Sequence, residues 1–323
     1  MTDQLAPADV EWFRTTFDRV VANVEEAVLG KRHVVRLALT CLVSGGHLLL
    51  EDDPGTGKTM LARALSRSLD CSFARIQFTP DLLPSDVTGV TVYDQAKGEF
   101  GFHPGPVFHS ILLADEINRA SPKTQSALLE VMEEGRVTVD GRTHDVGRPF
   151  MVIATQNPIE QAGTYQLPEA QLDRFLMRSS IGHPGPEATE ELLMASGVRD
   201  RAAALHPVAT GQDILRMAEL ADRVHIDRAL IEYVRRIAER SRELPEVRLG
   251  LSTRGLLAWV RSVKSWALAE GRAHAVPEDI RVLSTQIVAH RILLTPEAMF
   301  GGTTAVDTVR ALVDEVPAPR DRA

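Results

Sequence analysis

Residues 51–59 read Glu-Asp-Asp-Pro-Gly-Thr-Gly-Lys-Thr, directly after the apolar run Leu48-Leu49-Leu50 and just ahead of Leu61, Leu65 and Leu69. A short buried strand, a glycine turn and the opening of a helix follow one another, which is the layout of a phosphate-binding loop. Amide groups at a helix N-terminus point at an anion, and the helix dipole favours its charge. Gly55 and Gly57 let the chain curl without a Cβ in the way. In this pattern Lys58 reaches the outer phosphates and the Thr59 hydroxyl holds Mg²⁺. The usual pattern begins with a further glycine, and Asp52 stands there. An aspartate beside phosphates is electrostatically awkward, although Asp tolerates turn conformations. The bland alternative is an ordinary glycine turn between a strand and a helix.

Working outward, residues 8–28 carry apolar side chains at helical spacing (Val10, Phe13, Phe17, Val20, Val21, Val24), and Val34 to Val43 is a second apolar helix. Short apolar runs then recur at Leu48–Leu50, Ala74–Phe78, Ile111–Ala114 and Phe150–Ala154, with a weaker one at Leu176–Ile181. Runs that are apolar at nearly every residue suit parallel strands buried on both faces. Alternation with helices predicts an α/β fold, a three-layer αβα unit around a mainly parallel five-stranded sheet. Two stretches interrupt the rhythm, a hairpin over about 88–105 and another over about 136–148 with Asp140-Gly141 as its turn. Beyond His183-Pro184-Gly185-Pro186 the pattern is helical, with helices expected over Asp213–Val224, Asp227–Arg242, Thr253–Glu270 and Pro277–His290. The expected organisation is a nucleotide-binding unit over residues 1–184, a linker over 185–206, an all-α lid over 207–316 and a tail over 317–323.

Composition sets the outer bounds. At 323 residues the chain suits about two domains. Its net charge of −8 argues against nucleic-acid or membrane-surface affinity as a main role. Cys41 and Cys71 lie in different segments and read as core thiols rather than a zinc site or disulfide framework. No secretion signal and no apolar run of transmembrane length is visible, so a cytoplasmic protein without an integral membrane segment is the expectation. The ten histidines show no zinc-site spacing, and Trp259 and Trp266 read as a packing stripe.

Two further motifs carry chemistry. Ile-Leu-Leu-Ala-Asp-Glu at 111–116 puts an acidic pair at the C-terminal end of a buried strand, on the rim where open α/β sheets bind ligands. There Asp115 would hold Mg²⁺ beside Thr59, and Glu116 would act as general base toward the attacking water. The pair could instead be an acidic helix N-cap. Ala-Thr-Gln-Asn-Pro at 154–158 also follows a buried strand, so Asn157 could donate to the γ-phosphate or the lytic water, or the Asn-Pro could simply turn the chain.

The segment Ile111–Glu130, together with Ala154-Thr-Gln-Asn-Pro158 and Leu167-Pro-Glu-Ala-Gln-Leu-Asp-Arg-Phe175, resembles the MoxR family of AAA+ ATPases over nearly the whole chain. The resemblance implies ATP and Mg²⁺ as cofactors, with Gly55, Thr56, Gly57, Lys58, Thr59 and Met60 forming Walker A and Asp115 and Glu116 forming Walker B. It implies an adenine contact at Gly30, sensor 1 at Asn157, an arginine finger at Arg174 acting in trans, and sensor 2 at Arg254 on the lid. That last role would have Arg254 draw the lid toward the γ-phosphate. The family commonly shows proline just before this arginine, where this chain has Leu251-Ser-Thr. The hairpins resemble the family's helix-2 insert and pre-sensor hairpin. A homo-oligomeric, hexameric ring is further implied, as are chaperone-like remodelling of client proteins and a von Willebrand factor A-domain partner. Rival readings are a chelatase-type motor for metal insertion, a nucleotide-gated scaffold and a nucleic-acid motor.

Overall fold

The computed structural model describes residues 5–157, 165–194 and 200–319. The chain opens with helices α1 (Pro7–Glu25) and α2 (Arg32–Val43), then β1 (Leu48–Glu51), α3 (Lys58–Ser68), β2 (Phe73–Gln77) and α4 (Pro84–Thr88). A hairpin of β3 (Gly89–Asp94) and β4 (Glu99–Pro104) precedes β5 (Ile111–Asp115) and α5 (Pro122–Glu134). A second hairpin, β6 (Arg136–Val139) and β7 (Arg142–Asp145), precedes β8 (Met151–Gln156), α6 (Glu169–Leu172), β9 (Met177–Ser179) and α7 (Pro186–Met194). The helical remainder comprises α8 (Gly211–Asp222), α9 (Arg228–Glu243), α10 (Thr253–Ala269), α11 (Pro277–Val288), α12 (Pro296–Phe300) and α13 (Ala305–Glu315), with a small antiparallel pair of β10 (Val247–Leu249) and β11 (Leu293–Leu294).

The five-stranded sheet runs in the order β2-β5-β8-β1-β9, and every pairing in it is parallel. Strand alternation sends successive side chains to opposite faces. Leu48 and Leu50, Ile111 and Leu113, and Met151 and Ile153 enter one buried cluster. Leu49, Leu112 and Ala114, and Val152 and Ala154 enter another. The three central strands β1, β5 and β8 are therefore apolar nearly throughout because both of their faces are covered, as the unbroken runs predicted. The first cluster takes in α1, α2 and α3, and the second takes in α5 with Phe78, Val137 and Phe175.

The first cluster continues without a break into the C-terminal helices through Trp259, Val263, Ile280, Leu283 and Ile287. Helices α8 and α10 pack on α1 and α2, and α11 meets β9. The expected helices begin at side-chain caps: Asp227 accepts from Ala229 N at 2.7 Å and Ser252 from Gly255 N at 3.0 Å. The stretch read as a linker, 185–206, carries α7 and a 3₁₀ turn at Arg201–Ala204 that packs on α3. Arg63 of α3 pairs with Asp200 at 2.8 Å just before that turn. The tail residues 320–323 lie outside the described residues.

Two buried histidines hold the N-terminal side of the sheet. His47 Nδ1 accepts from Val152 N at 2.9 Å while its Nε2 faces Met132 O at 3.0 Å, so the ring bridges β8 and the end of α5 as a neutral imidazole donating through Nε2. His290 Nε2 faces Phe175 O at 3.0 Å, joining the end of α11 to the approach to β9. Burial disfavours the charged ring, pushing His47 down to about 4 and His290 well below its ordinary value. In the unfolded chain both would take up a proton near pH 6.5. Between that pH and about 4 the unfolded state therefore binds more protons than the folded one, and stability falls as the solution is acidified. Urea unfolding at pH 7 and pH 4.5 should show a loss of about 2–3 kcal/mol from His47 alone, since each pKa unit is worth about 1.4 kcal/mol. A stability that does not decline over this interval would contradict the neutral, buried assignment.

Candidate functional site

Parallel register brings three of the sequence motifs to one edge of the sheet. Leu50 pairs with Thr155 and Glu51 with Gln156, while Ala114 pairs with Ala154. The loop after β1, the acidic pair that ends β5 and Asn157 after β8 therefore leave the sheet side by side at its C-terminal edge. Pro158, the last residue of the sensor-like motif, lies outside the described residues.

In the loop, Gly55 and Gly57 have φ of +87° and +97°, and a Cβ at either would meet nothing within 4 Å. Backbone conformation, rather than crowding, calls for glycine at these two positions. Gly57 caps α3 with no side-chain hydrogen bond to the helix's first turn, so that turn is not capped from within. Lys58 Nζ donates to the carbonyls of Asp52 at 2.7 Å and Asp53 at 2.9 Å, which folds the lysine back over its own loop. Thr59 and Met60 follow in the first turn of α3.

Asp52 resolves the awkward substitution. Only 7% exposed, its carboxylate accepts from Ile181 N at 2.6 Å and Gly182 N at 2.9 Å. The negative charge is thus spent on backbone donors after β9, and the side chain is tied away from the loop's concavity. The same segment borders Gly30. Lys31 Nζ donates to His183 O at 2.5 Å, and a Cβ on Gly30, at φ +66°, would stand 3.4 Å from the Ala188 Cβ of α7. Gly30 and the loop are thereby linked through residues 181–188.

The acidic pair sits in a polar lattice that sequence reading missed. Asp115 accepts from Thr155 Oγ1 at 2.6 Å and from Arg75 at 2.7 Å. Glu116 adopts φ +55° and accepts from Gln77 Nε2 at 2.9 Å and Arg119 at 2.7 Å. Gln77 in turn accepts from Arg75 at 3.0 Å. The available signal was Arg75 and Gln77 themselves, polar residues two apart on the edge strand β2, where Gln77 is in register with Asp115. The left-handed backbone at Glu116 excludes the bland reading of the pair as the cap of a regular α-helix, because only a 3₁₀ turn follows it.

Two expected residues lie elsewhere. In β9 Met177 is in register with Leu48, the first residue of β1, so the chain approaches β9 from the N-terminal edge of the sheet. Arg174 is on that approach, at the far end of the sheet from the loop. There its Nε meets Glu133 Oε2 at 3.0 Å, in the last turn of α5. Arg254, at the start of α10, engages the other oxygen of the same carboxylate. Helices α8 and α10 pack on α1 and α2, and Arg254 shares the edge of Arg174 rather than that of Lys58.

ATP and Mg²⁺ fit the C-terminal edge. Positive φ at Gly55 and Gly57 curls the loop, Lys58 is folded onto it by bonds a phosphate could replace, and Thr59 and Asp115 offer oxygen ligands. Among the described residues no cluster of three or more His, Cys, Asp or Glu side chains could hold a metal. Mg²⁺ suits such a place, since it takes one or two protein carboxylates and completes its shell with phosphate and water.

Comparison with known proteins agrees with this geometry. A family model described as the ATPase family associated with various cellular activities (AAA) matches residues 47–177, and one described as the AAA lid domain matches residues 239–312. The protein YeaC of Bacillus subtilis, described as uncharacterized, is 45% identical over 94% of this chain and 95% of its own length. Chaperone MoxR1 of Mycobacterium tuberculosis is 39% identical, over 95% of this chain and 84% of its own. A crystal structure from Cytophaga hutchinsonii, described as a candidate ATPase, superposes with a TM-score of 0.90 at 35% identity over 97% of this chain and 98% of that one.

The Asp52 contacts yield a test. Replacing Asp52 with glycine restores the usual loop pattern yet strands two amides, so Asp52→Gly should lower unfolding stability by about 1–3 kcal/mol. ATP affinity, measured by calorimetry, should not improve; a tighter-binding, equally stable variant would refute the anchoring role.

Proposed function

The chain belongs to the MoxR family of AAA ATPases, and from that premise we propose that it hydrolyses ATP, with Mg²⁺, as one member of a ring, and uses the cycle to remodel partner proteins. The observation that carries the proposal is the strand register that sets Lys58, Asp115, Glu116 and Asn157 along one edge.

In this reading the amides of residues 55–60 and Lys58 bind the phosphates, and Gly30 lies against the adenine. Thr59 and Asp115 hold Mg²⁺, which would neutralise charge on the phosphate oxygens. Glu116 takes the proton of the attacking water. Its orientation is set by Gln77 and Arg119, and Thr155 fixes Asp115 from the neighbouring strand. Asn157 donates to the γ-phosphate or the water. Arg174 lies a full sheet length from its own loop, so it serves the pocket of an adjoining copy. Arg254 shares its carboxylate and therefore serves that pocket too. This heterologous arrangement, head of one copy to tail of the next, closes into a ring; six members is the number expected of the family. A 39%-identical relative carries the name of a chaperone, which supports remodelling of clients, with a von Willebrand factor A-domain protein as the expected partner.

Glu116→Gln should keep ATP binding and lose about 10²–10⁴-fold in phosphate release, the usual worth of a general base. Lys58→Ala should lose binding itself. Light scattering with ATP present should report a multimer for Glu116→Gln. Undiminished phosphate release in either variant would sink the proposed pocket.

A further inference from the structure

Glu133 has no role in the reading so far, yet it holds both arginines. One carboxylate oxygen takes Arg174 Nε at 3.0 Å and the other takes Arg254 Nη2. The two cations come from distant parts of the chain, one from the approach to β9 and one from the N-terminus of α10. Nearby acids are otherwise engaged: Asp173 by Arg291 at 2.6 Å and Glu134 by Arg136 at 3.0 Å. Glu133 and Arg174 are each about one-third exposed and Arg254 is half-exposed, so the pair is neither sealed nor freely solvated. It opens on a cleft of about 670 Å³ that also presents Arg261, Lys264 and Leu257.

We infer that Glu133 is the positioning residue of the trans-acting arginine pair. Two guanidinium groups side by side repel each other and would each sweep many rotamers. A carboxylate between them holds both in place and leaves the trio with a net positive charge. A phosphoryl group with several oxygens, presented by the adjoining copy, is met by a preorganised pair rather than by two loose side chains. Position on the last turn of α5 reinforces this. A carboxylate there faces the negative end of the helix dipole and is stabilised by its cations alone. The inference rests on the ATPase reading given above, and on Arg174 acting across a subunit boundary.

The test is phosphate release by wild type, Glu133→Gln, Arg174→Ala, Lys58→Ala and one-to-one mixtures. Glu133→Gln should bind ATP with wild-type KM, because its own loop is untouched, and lose about 10²-fold in kcat, the scale of a misplaced catalytic group. Glu133→Asp should recover part of that loss. Mixing Glu133→Gln with Lys58→Ala should restore turnover, since an intact loop then meets an intact arginine pair, and Arg174→Ala mixed with Lys58→Ala should behave alike. A folded Glu133→Gln chain with wild-type kcat, or one faster than wild type, overturns the inference. So does failure of its mixture to recover while the Arg174→Ala mixture does. Should Glu133→Gln not fold, the same mixture with Glu133→Asp decides. Inactivity of the wild type itself would instead remove the ATPase reading.

Discussion

Parallel register in the central sheet is the constraint on which the site depends. All five strands run in the same direction, so whatever follows β1, β5 and β8 must gather at one edge, and whatever precedes β9 must lie at the other. Side chains on both faces of β1, β5 and β8 are buried in separate clusters, and a slip by one residue would turn them into the wrong cluster. The chemistry at the C-terminal edge is thus held in place by packing far from it. Separation of the two edges has the same origin. Arg174, on the approach to β9, lies a sheet length from the loop of its own chain, and Arg254 shares its edge, so in the proposed reaction assembly is a condition rather than an accessory.

Asp52 shows how a departure from a motif can be absorbed. In a phosphate loop the position is usually glycine, and a charge there would oppose the ligand. Here two amides beyond β9 take the carboxylate out of the loop. A backbone amide pair around an ionised acceptor forms stronger hydrogen bonds than neutral partners do. The substitution has become a brace: it fixes the loop to residues 181 and 182, and through the His183 carbonyl and Ala188 it reaches Lys31 and Gly30. The regions proposed for phosphate and adenine are therefore tied to one another through segment 181–188.

Much of this was legible in the sequence because local chemistry decided it. The glycine loop has the conformations its glycines predict, the apolar runs are strands and the capped helices begin where Asp227 and Ser252 stand. What was not legible depends on long-range approach. Arg75 and Gln77 are unremarkable in a line of text and meaningful only because β2 lies beside β5. The destination of Asp52 required knowing that β9 neighbours β1. The place of Arg254 beside Glu133 was likewise hidden, because it follows from the packing of α10, with Trp259 and Val263 buried, on α1 and α2. Glu133 was one acid among several on α5, and its meaning comes from two arginines that are 41 and 121 residues away in sequence.

Those two arginines are also mechanically joined. Arg291, 6% exposed at the end of α11, donates to Asp173 Oδ1 at 2.6 Å and to the Phe175 and Leu176 carbonyls at 2.6 and 3.2 Å. Ser252, the cap of α10, donates to Asp173 as well, at 3.2 Å. His290 adds a further bond to the Phe175 carbonyl. Breaking such a buried ion pair by removing one partner costs about 3–5 kcal/mol, so segment 173–176 is bound to the helical domain and not merely adjacent to it. Any rotation of that domain carries Arg174 and Arg254 together, with Glu133 of α5 as the point against which they turn. In the proposed ring these contacts would couple each nucleotide pocket to the posture of the next copy's helical domain, because the arginines proposed to meet the phosphates are anchored there.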